Sequence, residues 1–562
     1  SKKSFPKFVA FHPLRLFQSL LRVPEEVNMV LEGQTPSSRQ SMPAPTKFHL
    51  LFVPLLAFVL LALKHATQIQ NDFGLGSNGR LADTASSSDI DSPTQRRDTE
   101  IQKDAATADD EPLNIVLFYA DDWTMKVMGK LNKYVKTPNI DKMADDGILF
   151  TNNCVTTSMC WISRATMLTG TYASRHLQLE PSQENVFHTH PWNETVFPLL
   201  KASGYHTGLV GKWHAPGPKR KMSMAFDYMN LYFGWHWMPR DGVMRHVTDM
   251  NLEDSIDFLQ NRPMDQKFAL KVSFFATHAW DGHYPPYEPK NESKARFYNN
   301  VTIPRPKTAT DRHWQSMPYF FNSDNEGRRR WENRFDPGHY QDSIKDLYRM
   351  ATEVDFAVGK IIDLLKEQGV YNKTLLIFTT DNGNMHGEHG LAEKWYPYEE
   401  SIRVPLVIVD PRMHKSQHGT RNDEFTLSID LAPTILGAAK ISPSSFMQGR
   451  DIAKLYLPEK DVEPIRWRQD WFYEYNRGDP ITGEGHEGIF WIDASFALIT
   501  KEWKYIYWPQ HDYEQIFHRS VDEYEEFDLV NSSQIQPTDE IYTKLKSRYT
   551  FLKNWVQSGH PV

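Results

Sequence analysis

The stretch LNIVLFYADDW, residues 113–123, joins an unbroken apolar run to a pair of carboxylates. Asn114–Ala120 has the length and composition of a buried β-strand, and it ends abruptly at Asp121 and Asp122. Such a continuous apolar run is typical of a parallel sheet that helices cover on both faces. Ligands of these sheets bind beyond the carboxyl ends of the strands, so this stretch also predicts where a functional site lies.

The chain beyond this stretch alternates between helical patterns and short apolar runs. Helical patterns run from Pro138 to Gly147, from Thr195 to Ala202 and from Tyr340 to Gln368. Further strand patterns cover His206–Val210, Ala269–Ala276, Thr374–Thr380 and Arg403–Val409. We therefore expect an α/β fold, a large and mostly parallel sheet sandwiched by helices. After about residue 455 the runs GIFWI, FALIT and KYIYW predict a smaller antiparallel sheet in a C-terminal subdomain.

Four regions follow from these patterns: a basic N-terminal segment with a signal peptide or anchor (1–66), a disordered linker (67–111), a catalytic domain (112–455) and a C-terminal α+β subdomain (456–562). Phe48–Leu63 is an apolar run of 16 residues, which is short for a spanning helix and fits a signal-peptide core. An uncleaved membrane anchor is the alternative. Met42 is a candidate start, with the residues before it upstream of the translated chain.

Composition and sequons favour an exported protein that does not bind nucleic acid. The 562-residue chain has a net charge of −8, whereas a general nucleic-acid binder needs a basic face. Five Asn-x-Ser/Thr sequons begin at Asn193, Asn291, Asn300, Asn372 and Asn531. We expect a glycoprotein of the secretory pathway that is secreted, lysosomal or anchored to the membrane on its luminal side. These patterns do not predict an oligomeric state.

Polar residues follow two of the predicted strands at the point where each strand ends. Asp121 and Asp122 follow one strand, and Asp381 and Asn382 follow another. Carboxylate and amide oxygens from two strand ends can converge on a hard cation such as Ca²⁺ or Mg²⁺. Either pair alone also fits a solvated turn, because Asp-Asn-Gly is a good turn sequence. The two pairs together favour a metal site.

Cationic and imidazole side chains occur at similar positions. Lys212 and His214 lie in GLVGKWH, His278 and His283 lie in FFATHAWDGHYPP, and Lys394 lies in GEHGLAEKWYPYEE. Each of these residues, taken alone, is more simply interpreted as a surface charge or as a core residue whose polar atoms are hydrogen-bonded. Together around a metal, they would form a pocket for a tetrahedral oxyanion, in which charge-assisted hydrogen bonds are strong.

The chain has only two cysteines, Cys154 and Cys160. An isolated cysteine is usually a small buried apolar side chain, and we interpret Cys154 in this way. Cys160 lies in TSMCWISRATMLTG, four residues before Arg164 and on the first turn of a predicted helix. This spacing puts Cys160 and Arg164 on the same face of that helix.

The order of these motifs resembles the type I sulfatases of the alkaline-phosphatase-like superfamily. The resemblance rests on LNIVLFYADDW, TPNIDKMADDGILFTN, C-x-x-S-R-x-x-x-L-T-G, LVGKWH and FTTDNG…GEHGL…K…YEESIRVPL, and it runs from about Leu113 to Arg450. It implies that a formylglycine-generating enzyme oxidises Cys160 in the secretory pathway. One hydroxyl of the hydrated aldehyde then attacks sulfur, the alcohol leaves, and the enzyme carries the sulfate. Loss of a proton from the other hydroxyl expels sulfate and restores the aldehyde.

The resemblance also implies roles for the remaining residues. It assigns Ca²⁺, with Mg²⁺ as the alternative, to Asp121, Asp122, Asp381, Asn382 and modified Cys160. Arg164 holds the diol, Lys212 and His214 steady the nucleophile, and His278 and Lys394 bind sulfate, with His283 as the competitor of His278. The substrate expected is a sulfated small molecule or glycan, contacted through the aromatic segments Tyr228–Trp237 and Trp280–Tyr287.

One residue departs from the family pattern. Ile162 stands where the modification signal Cys-x-Pro-Ser-Arg has proline. Ile is β-branched and also prefers extended backbone, so we expect modification to occur. Two alternatives stay open: a phosphonate or phosphodiester hydrolase with the same nucleophile, and an inactive protein that binds sulfated glycans through an unmodified Cys160.

Overall fold

The computed structural model describes residues 111–176, 191–215, 219–457, 466–476, 480–481 and 490–558. The predicted signal peptide or anchor, and all of the predicted linker except Glu111, lie outside these residues. In the part of the chain that is described, no helix has both the length and the apolar character needed to cross a membrane.

The elements are numbered in chain order. The strands are β1 (Asn114–Ala120), β2 (Ile148–Phe150), β3 (Asn153–Cys154), β4 (His206–Gly211), β5 (Tyr228–Leu231), β6 (Trp237–Arg240), β7 (Val243–His246), β8 (Phe268–Ser273), β9 (Thr374–Thr380), β10 (Met385–His386), β11 (Ala392–Glu393), β12 (Leu406–Val409), β13 (Thr420–Asn422), β14 (Thr426–Leu427), β15 (Asp470–Tyr475), β16 (Pro480–Ile481), β17 (Phe490–Trp491), β18 (Ser495–Thr500), β19 (Trp503–Trp508) and β20 (Tyr513–His518). The helices are α1 (Pro138–Asp146), α2 (Cys160–Thr169), α3 (Ala173–His176), α4 (Val196–Ala202), α5 (Lys219–Ala225), α6 (Val247–Asn261), α7 (Asn291–Arg296), α8 (Asp311–Gln315), α9 (Glu326–Arg334), α10 (Tyr340–Glu367), α11 (Glu399–Ile402), α12 (Leu431–Ala438) and α13 (Glu540–Ser558).

An eight-stranded sheet has the order β13-β2-β12-β9-β1-β8-β4-β5. Strand β1 lies between β8 and β9 and is parallel to both, and β4 is parallel to β8 and β5. Strand β12 is antiparallel to its neighbours β9 and β2. The predicted strand Arg403–Val409 begins only at Leu406, since Pro405 has no N–H to donate to a sheet. The prediction of a large, mostly parallel sheet is confirmed.

Alternate side chains of β1 enter different hydrophobic clusters on the two faces of the sheet. Val116 and Phe118 belong to the cluster that includes the buried face of α10. Ile115 and Leu117 belong to the cluster that includes α4 and α12. Helices therefore cover both faces, which explains why the sequence of β1 is apolar throughout.

A four-stranded antiparallel sheet of order β15-β18-β19-β20 forms the C-terminal part, as predicted. It is bonded to segments close to Cys160. The Tyr473 hydroxyl donates to the Trp395 carbonyl at 2.7 Å, and the Glu474 amide donates to the Thr156 carbonyl at 3.0 Å. The smaller sheet thus supports the loops that carry functional groups of the larger one.

A glycine ends β4 and determines the path of the chain into Lys212. Gly211 has a φ of +90°, and a Cβ there would overlap the Ser273 carbonyl oxygen. That same oxygen accepts the Lys212 amide at 2.8 Å. Only glycine combines this backbone conformation with so close an approach of the neighbouring strand.

We expect Gly211→Ala to destabilise the protein by about 2–4 kcal/mol, combining a positive-φ penalty with an overpacking penalty. Gly204→Ala is the matched control, because Gly204 has a φ of +89° and no atom within 4 Å of an added Cβ. It should cost only about 1 kcal/mol. Urea unfolding of both variants provides the comparison, and equal losses would contradict the role given to the strand contact.

Candidate active site

Parallel strands β1, β4, β8 and β9 end at one edge of the large sheet. Asp121 and Asp122 follow β1, Lys212 and His214 follow β4, His278 follows β8, and Asp381 and Asn382 follow β9. Cys160 and Arg164 lie on α2, and Lys394 directly follows β11. Direct contacts join these side chains into three groups: Cys160 with His214; Arg164, Lys212 and Asp121 with Asp381; and Asn382, Lys394 and His278 with Asp122. The Asp122 amide donates to Asp381 Oδ1 at 3.3 Å and connects the last two groups, and a shared cavity brings Cys160 and His214 beside them. We call these ten residues the cluster.

The three carboxylates of the cluster are fully buried. Asp381 Oδ2 accepts the Arg164 Nε–H at 2.7 Å, and Lys212 Nζ pairs with Asp121. Burial and the charge of Asp381 raise the pKa of Asp121 to about 7. Asp381 is buried as well, but Arg164 and Lys212 hold the pKa of its carboxyl below its usual value. Charge repulsion among the carboxylates therefore calls for cations around them.

Asp122 is the contact point of several groups from distant parts of the chain. Its Oδ1 accepts from Asn382 Nδ2 at 2.6 Å and from Lys394 Nζ at 2.5 Å. Its Oδ2 lies 3.6 Å from His278 Nε2 and accepts from Asn384 Nδ2 at 3.3 Å. Asp122 has a φ of +54°, a backbone conformation that Asp tolerates better than most residues.

The oxygen atoms of the cluster fit a bound cation. Asp121 Oδ1 and Asn382 Oδ1 are buried and have no hydrogen-bond partner among the described residues. Such orphaned buried acceptors are rare, and a metal ion would satisfy them. Carboxylate and amide oxygens are the donors that Ca²⁺ and Mg²⁺ prefer. Ligand atoms of Asp121, Asp122 and His278 also lie within 4.8 Å of one another.

Cys160 is the first residue of α2. The extended backbone of Met159 precedes it, and the first helical hydrogen bond runs from the Ser163 amide to the Met159 carbonyl at 2.8 Å. Its Sγ lies 3.4 Å from His214 Nδ1. Burial raises the pKa of the Cys160 thiol, although Lys394 and Lys212 act in the opposite direction. The unmodified side chain is thus a protonated thiol rather than an activated thiolate.

Arg164 lies one helical turn after Cys160 and is fully buried. Besides Asp381, its guanidinium donates to Ser273 Oγ at 2.7 Å and to the Lys212 carbonyl at 3.0 Å. These hydrogen bonds offset the cost of burying the guanidinium and fix its position. Its Nη2 lies 3.6 Å from Asp121 and makes no hydrogen bond in the part of the chain described here.

The two candidate histidines differ clearly in their surroundings. His278 is buried next to Asp122 and lines the same cavity as Cys160. His283 stacks on Trp280 at 3.7 Å between ring centroids, and its Nε2 lies 3.2 Å from Glu288 Oε1. The structure therefore brings His278, and not His283, into the cluster.

Sequence reasoning missed two buried residues behind the cluster. Ser273 ends β8 and accepts from both Arg164 and Lys271, whose Nζ lies 3.0 Å from Ser273 Oγ. Lys271 is buried within an apolar strand, and its Nζ lies 4.5 Å from the centroid of the Tyr119 ring. A lysine in a buried-strand pattern was the signal that could have indicated this contact.

A cavity of about 570 Å³ opens onto the cluster and contains Cys160, Lys212, His214, His278 and Lys394. Its aromatic lining residues are Trp161, Phe233, Trp235, Phe275, Trp280 and Trp395. Asp281 and Arg330 also line it, and Asp281 accepts from Arg330 Nη1 at 2.6 Å. A buried cationic end and an aromatic mouth suit an anion carried on a ring.

Comparison with known proteins agrees with this geometry. Residues 113–441 match the family model described as sulfatase, and residues 387–554 match the model for the C-terminal part of N-sulphoglucosamine sulphohydrolase. A solved structure in complex with its substrate, D-glucosamine-2-N,6-O-disulfate, superposes with a TM-score of 0.64 at 20% identity. It aligns with 80% of this chain and 99% of that chain, which supports the fold.

Curated relatives match over most of their own length. An arylsulfatase of Clostridium perfringens is 27% identical over 475 residues, which are 75% of this chain and 91% of the relative. An N-acetylglucosamine-6-O-sulfatase of Bacteroides thetaiotaomicron is 23% identical over 488 residues, which are 74% of this chain and 80% of the relative. The sulfatase model alone spans more than half of the chain. The chain therefore belongs to the sulfatase family of sulfuric ester hydrolases, in the alkaline-phosphatase-like superfamily.

Proposed function

We propose that this protein hydrolyses sulfate esters of carbohydrates with a formylglycine derived from Cys160 and with bound Ca²⁺. The observation that carries the proposal is the buried cluster in which Arg164 contacts carboxylates from two strand ends, while Cys160, one turn earlier on the same helix, contacts His214. Lys212 and Lys394 supply two further cations at the inner end of a cavity of about 570 Å³. Concentrated positive charge in a water-poor site stabilises a tetrahedral oxyanion.

The weak nucleophilicity of the unmodified Cys160 thiol supports its oxidation to formylglycine. Its raised pKa leaves it protonated at neutral pH, so it is a weak nucleophile. When hydrated, formylglycine supplies two hydroxyl groups on one carbon at this position. The departure at Ile162 leaves the fold unaffected, because its N–H lies in the first turn, before the helical bond donated by Ser163, where proline or isoleucine fits alike. A formylglycine-generating enzyme is accordingly a partner during biosynthesis.

Asp121, Asp122, Asp381 and Asn382 would hold the ion together with the modified Cys160. The two orphaned oxygens, Asp121 Oδ1 and Asn382 Oδ1, support this ligand set. A bound divalent ion would stabilise negative charge on the nucleophile and on the sulfate oxygens. An all-oxygen set of carboxylates and an amide favours Ca²⁺, with Mg²⁺ as the alternative.

The remaining side chains would orient the reactants and move protons. Arg164 is held rigidly by Asp381 and Ser273 and neutralises charge beside residue 160. Burial and Lys212 keep the pKa of His214 well below its ordinary value, so its ring is neutral. Its Nδ1 faces Cys160 at 3.4 Å and can accept a proton there. His278 and Lys394, which both lie beside Asp122, would bind sulfate oxygens.

The outer cavity supports a sugar as the group that carries sulfate. Aromatic faces of Phe233, Trp235 and Trp280 suit stacking against a pyranose ring. The Asp281–Arg330 pair presents both an acceptor and donors to ring hydroxyls. The named activities of the Bacteroides relative and of the substrate-bound structural neighbour both concern sulfated glucosamines. We therefore propose a sulfated amino sugar as the first substrate to assay.

We further propose that the protein is an exported glycoprotein whose catalytic domain and C-terminal subdomain meet near residue 455. The asparagines of all five sequons are exposed, as glycosylation requires. The predicted leader or anchor would direct the chain to a secreted, lysosomal or luminal membrane location.

Mass spectrometry of the tryptic peptide Met143–Arg164 tests the proposed modification. In protein secreted from a eukaryotic host, we expect replacement of the Cys160 thiol by an aldehyde, with loss of the sulfur and gain of one oxygen. Activity should rise with the modified fraction when an aryl sulfate, glucosamine sulfates and a phosphonate ester are compared. An intact thiol, in protein without activity, would support the alternative of an inactive protein that binds sulfated glycans. Turnover of the phosphonate alone would support the alternative hydrolase.

The two histidines provide a matched pair of variants. His278→Asn should lower kcat/KM for an aryl sulfate by about 100–1,000-fold, because it removes the imidazole that lies beside Asp122 in the proposed sulfate site. His283→Asn should change kcat/KM by no more than about threefold, since its ring pairs with Glu288 instead. Melting temperatures of both variants control for folding. A larger loss in His283→Asn would reverse the assignment.

A further inference from the structure

A second cavity of about 580 Å³ lies at the other end of the helix that carries Cys160. Tyr172, two residues beyond the C-cap Gly170 of α2, lines it, whereas Cys160 begins the helix. The ten residues of α2 rise about 15 Å, so this length of helix separates the two cavities at its opposite ends. They share no lining residue among those described.

Four arginines line this second cavity, which we call the arginine cleft: Arg450, Arg466, Arg468 and Arg548. Two of them have carboxylate partners. Arg468 pairs with buried Asp430, and Arg548 makes a two-pronged bond to Asp470 at 2.7 and 2.9 Å.

The other two arginines have no carboxylate partner among the described residues. Arg450 Nη1 donates to the Arg466 carbonyl at 3.4 Å, and its guanidinium lies 5.8 Å from the centroid of the Trp467 ring. Arg466 is exposed at the wall of the cleft. Among the residues that the structure describes, four guanidinium groups against two carboxylates leave an excess of two positive charges at the cleft.

This excess is unfavourable without an anion. Arg450 is half-buried, and burial together with the neighbouring Arg468 lowers its pKa. Like charges held together in a partly desolvated cleft repel one another unless an oxyanion lies between them. Arginine forks match the paired oxygens of sulfate and carboxylate groups. A clustered, partly unpaired set of this kind is therefore a binding site for an anion.

Aromatic side chains at the rim indicate what carries the anion. Trp555 and Phe551 project from α13 along one wall, and Phe551 is 57% exposed. Aromatic rings next to charged groups suit a sugar with its apolar face and its ionic substituents. The cleft volume of about 580 Å³ is within the usual range for sites that bind small molecules.

We propose that the arginine cleft binds a second sulfated segment of a carbohydrate chain, away from the catalytic cavity. The sugar part of this inference rests on the proposed function, whereas the anion part rests on the charges of the cleft alone. A polymer held there would have a higher effective concentration at the active site. The cleft should therefore lower KM for long substrates and leave the turnover of small ones unchanged.

Binding is measured on full-length Cys160→Ala protein, which cannot hydrolyse its ligand. Calorimetry with a sulfated heparin tetrasaccharide should give two sites per chain. Adding Arg450→Gln with Arg466→Gln should leave one site, whereas Arg312→Gln, an exposed arginine outside both cavities, should leave two. Arg466→Glu alone should weaken the second site by at least about tenfold. Because Arg466 is exposed, this variant also guards against misfolding.

Two ligand controls separate the sources of the anion. If the cleft bound inorganic sulfate but not the tetrasaccharide, the proposal would be overturned in favour of an adventitious ion only. Equal binding of an unsulfated tetrasaccharide would overturn it in favour of plain sugar recognition. An unchanged stoichiometry in the double variant would overturn it outright.

Kinetics give an independent readout on protein without the Cys160→Ala substitution, in which residue 160 can be modified. The double variant should raise KM for a sulfated polymer about tenfold and leave kcat and KM for an aryl sulfate unchanged. An equal effect on both substrates would contradict a site outside the catalytic cavity. If the unaltered protein hydrolysed no sulfate ester, the proposed function would fail, while the binding results on Cys160→Ala would still decide the role of the cleft.

Discussion

The structure depends on three carboxylates, Asp121, Asp122 and Asp381, that are buried together at one sheet edge. Unit charges about 4 Å apart repel by roughly 4 kcal/mol at an effective dielectric constant near 20, so the fold must bring cations to them. Arg164 and Lys394 arrive from separate segments to contact these groups. The orphaned oxygens in the same cluster mark where a divalent ion would complete the balance. Under the proposed function, the residues that neutralise the carboxylates would also hold the anionic ester.

The scaffold explains why this arrangement is rigid. Parallel strands align the carboxyl ends of β1 and β9 in register, with Ala120 opposite Thr380. The N-terminus of α2 adds Cys160 from above this edge, and the hydrogen bond from Tyr473 to Trp395 ties the C-terminal sheet to the loop next to Lys394. Sites built on strand ends and helix ends are positioned more precisely than sites on long loops. The small C-terminal sheet is thus part of the catalytic architecture.

The sheet, its buried strands and the clustering of the motif residues follow from sequence, because each depends on a local pattern. A continuous apolar run that ends in Asp121 and Asp122 can be interpreted from the adjacent residues in the sequence alone. Contacts such as Lys271 with Ser273 behind Arg164 could not be predicted, since they depend on which strands become neighbours. The arginine cleft also escaped prediction, because Arg450 and Arg548 are 98 positions apart in sequence and meet only through α13.

Anomalous diffraction from crystals of the secreted protein grown with Ca²⁺ would locate both the ion and any sulfur at residue 160. We expect one strong calcium peak within about 2.3–2.6 Å of oxygen atoms from Asp121, Asp122, Asp381 and Asn382. We also expect that residue 160, beside that peak, carries oxygen and no sulfur signal. A sulfur peak at residue 160 together with no ion among the carboxylates would contradict the proposed function.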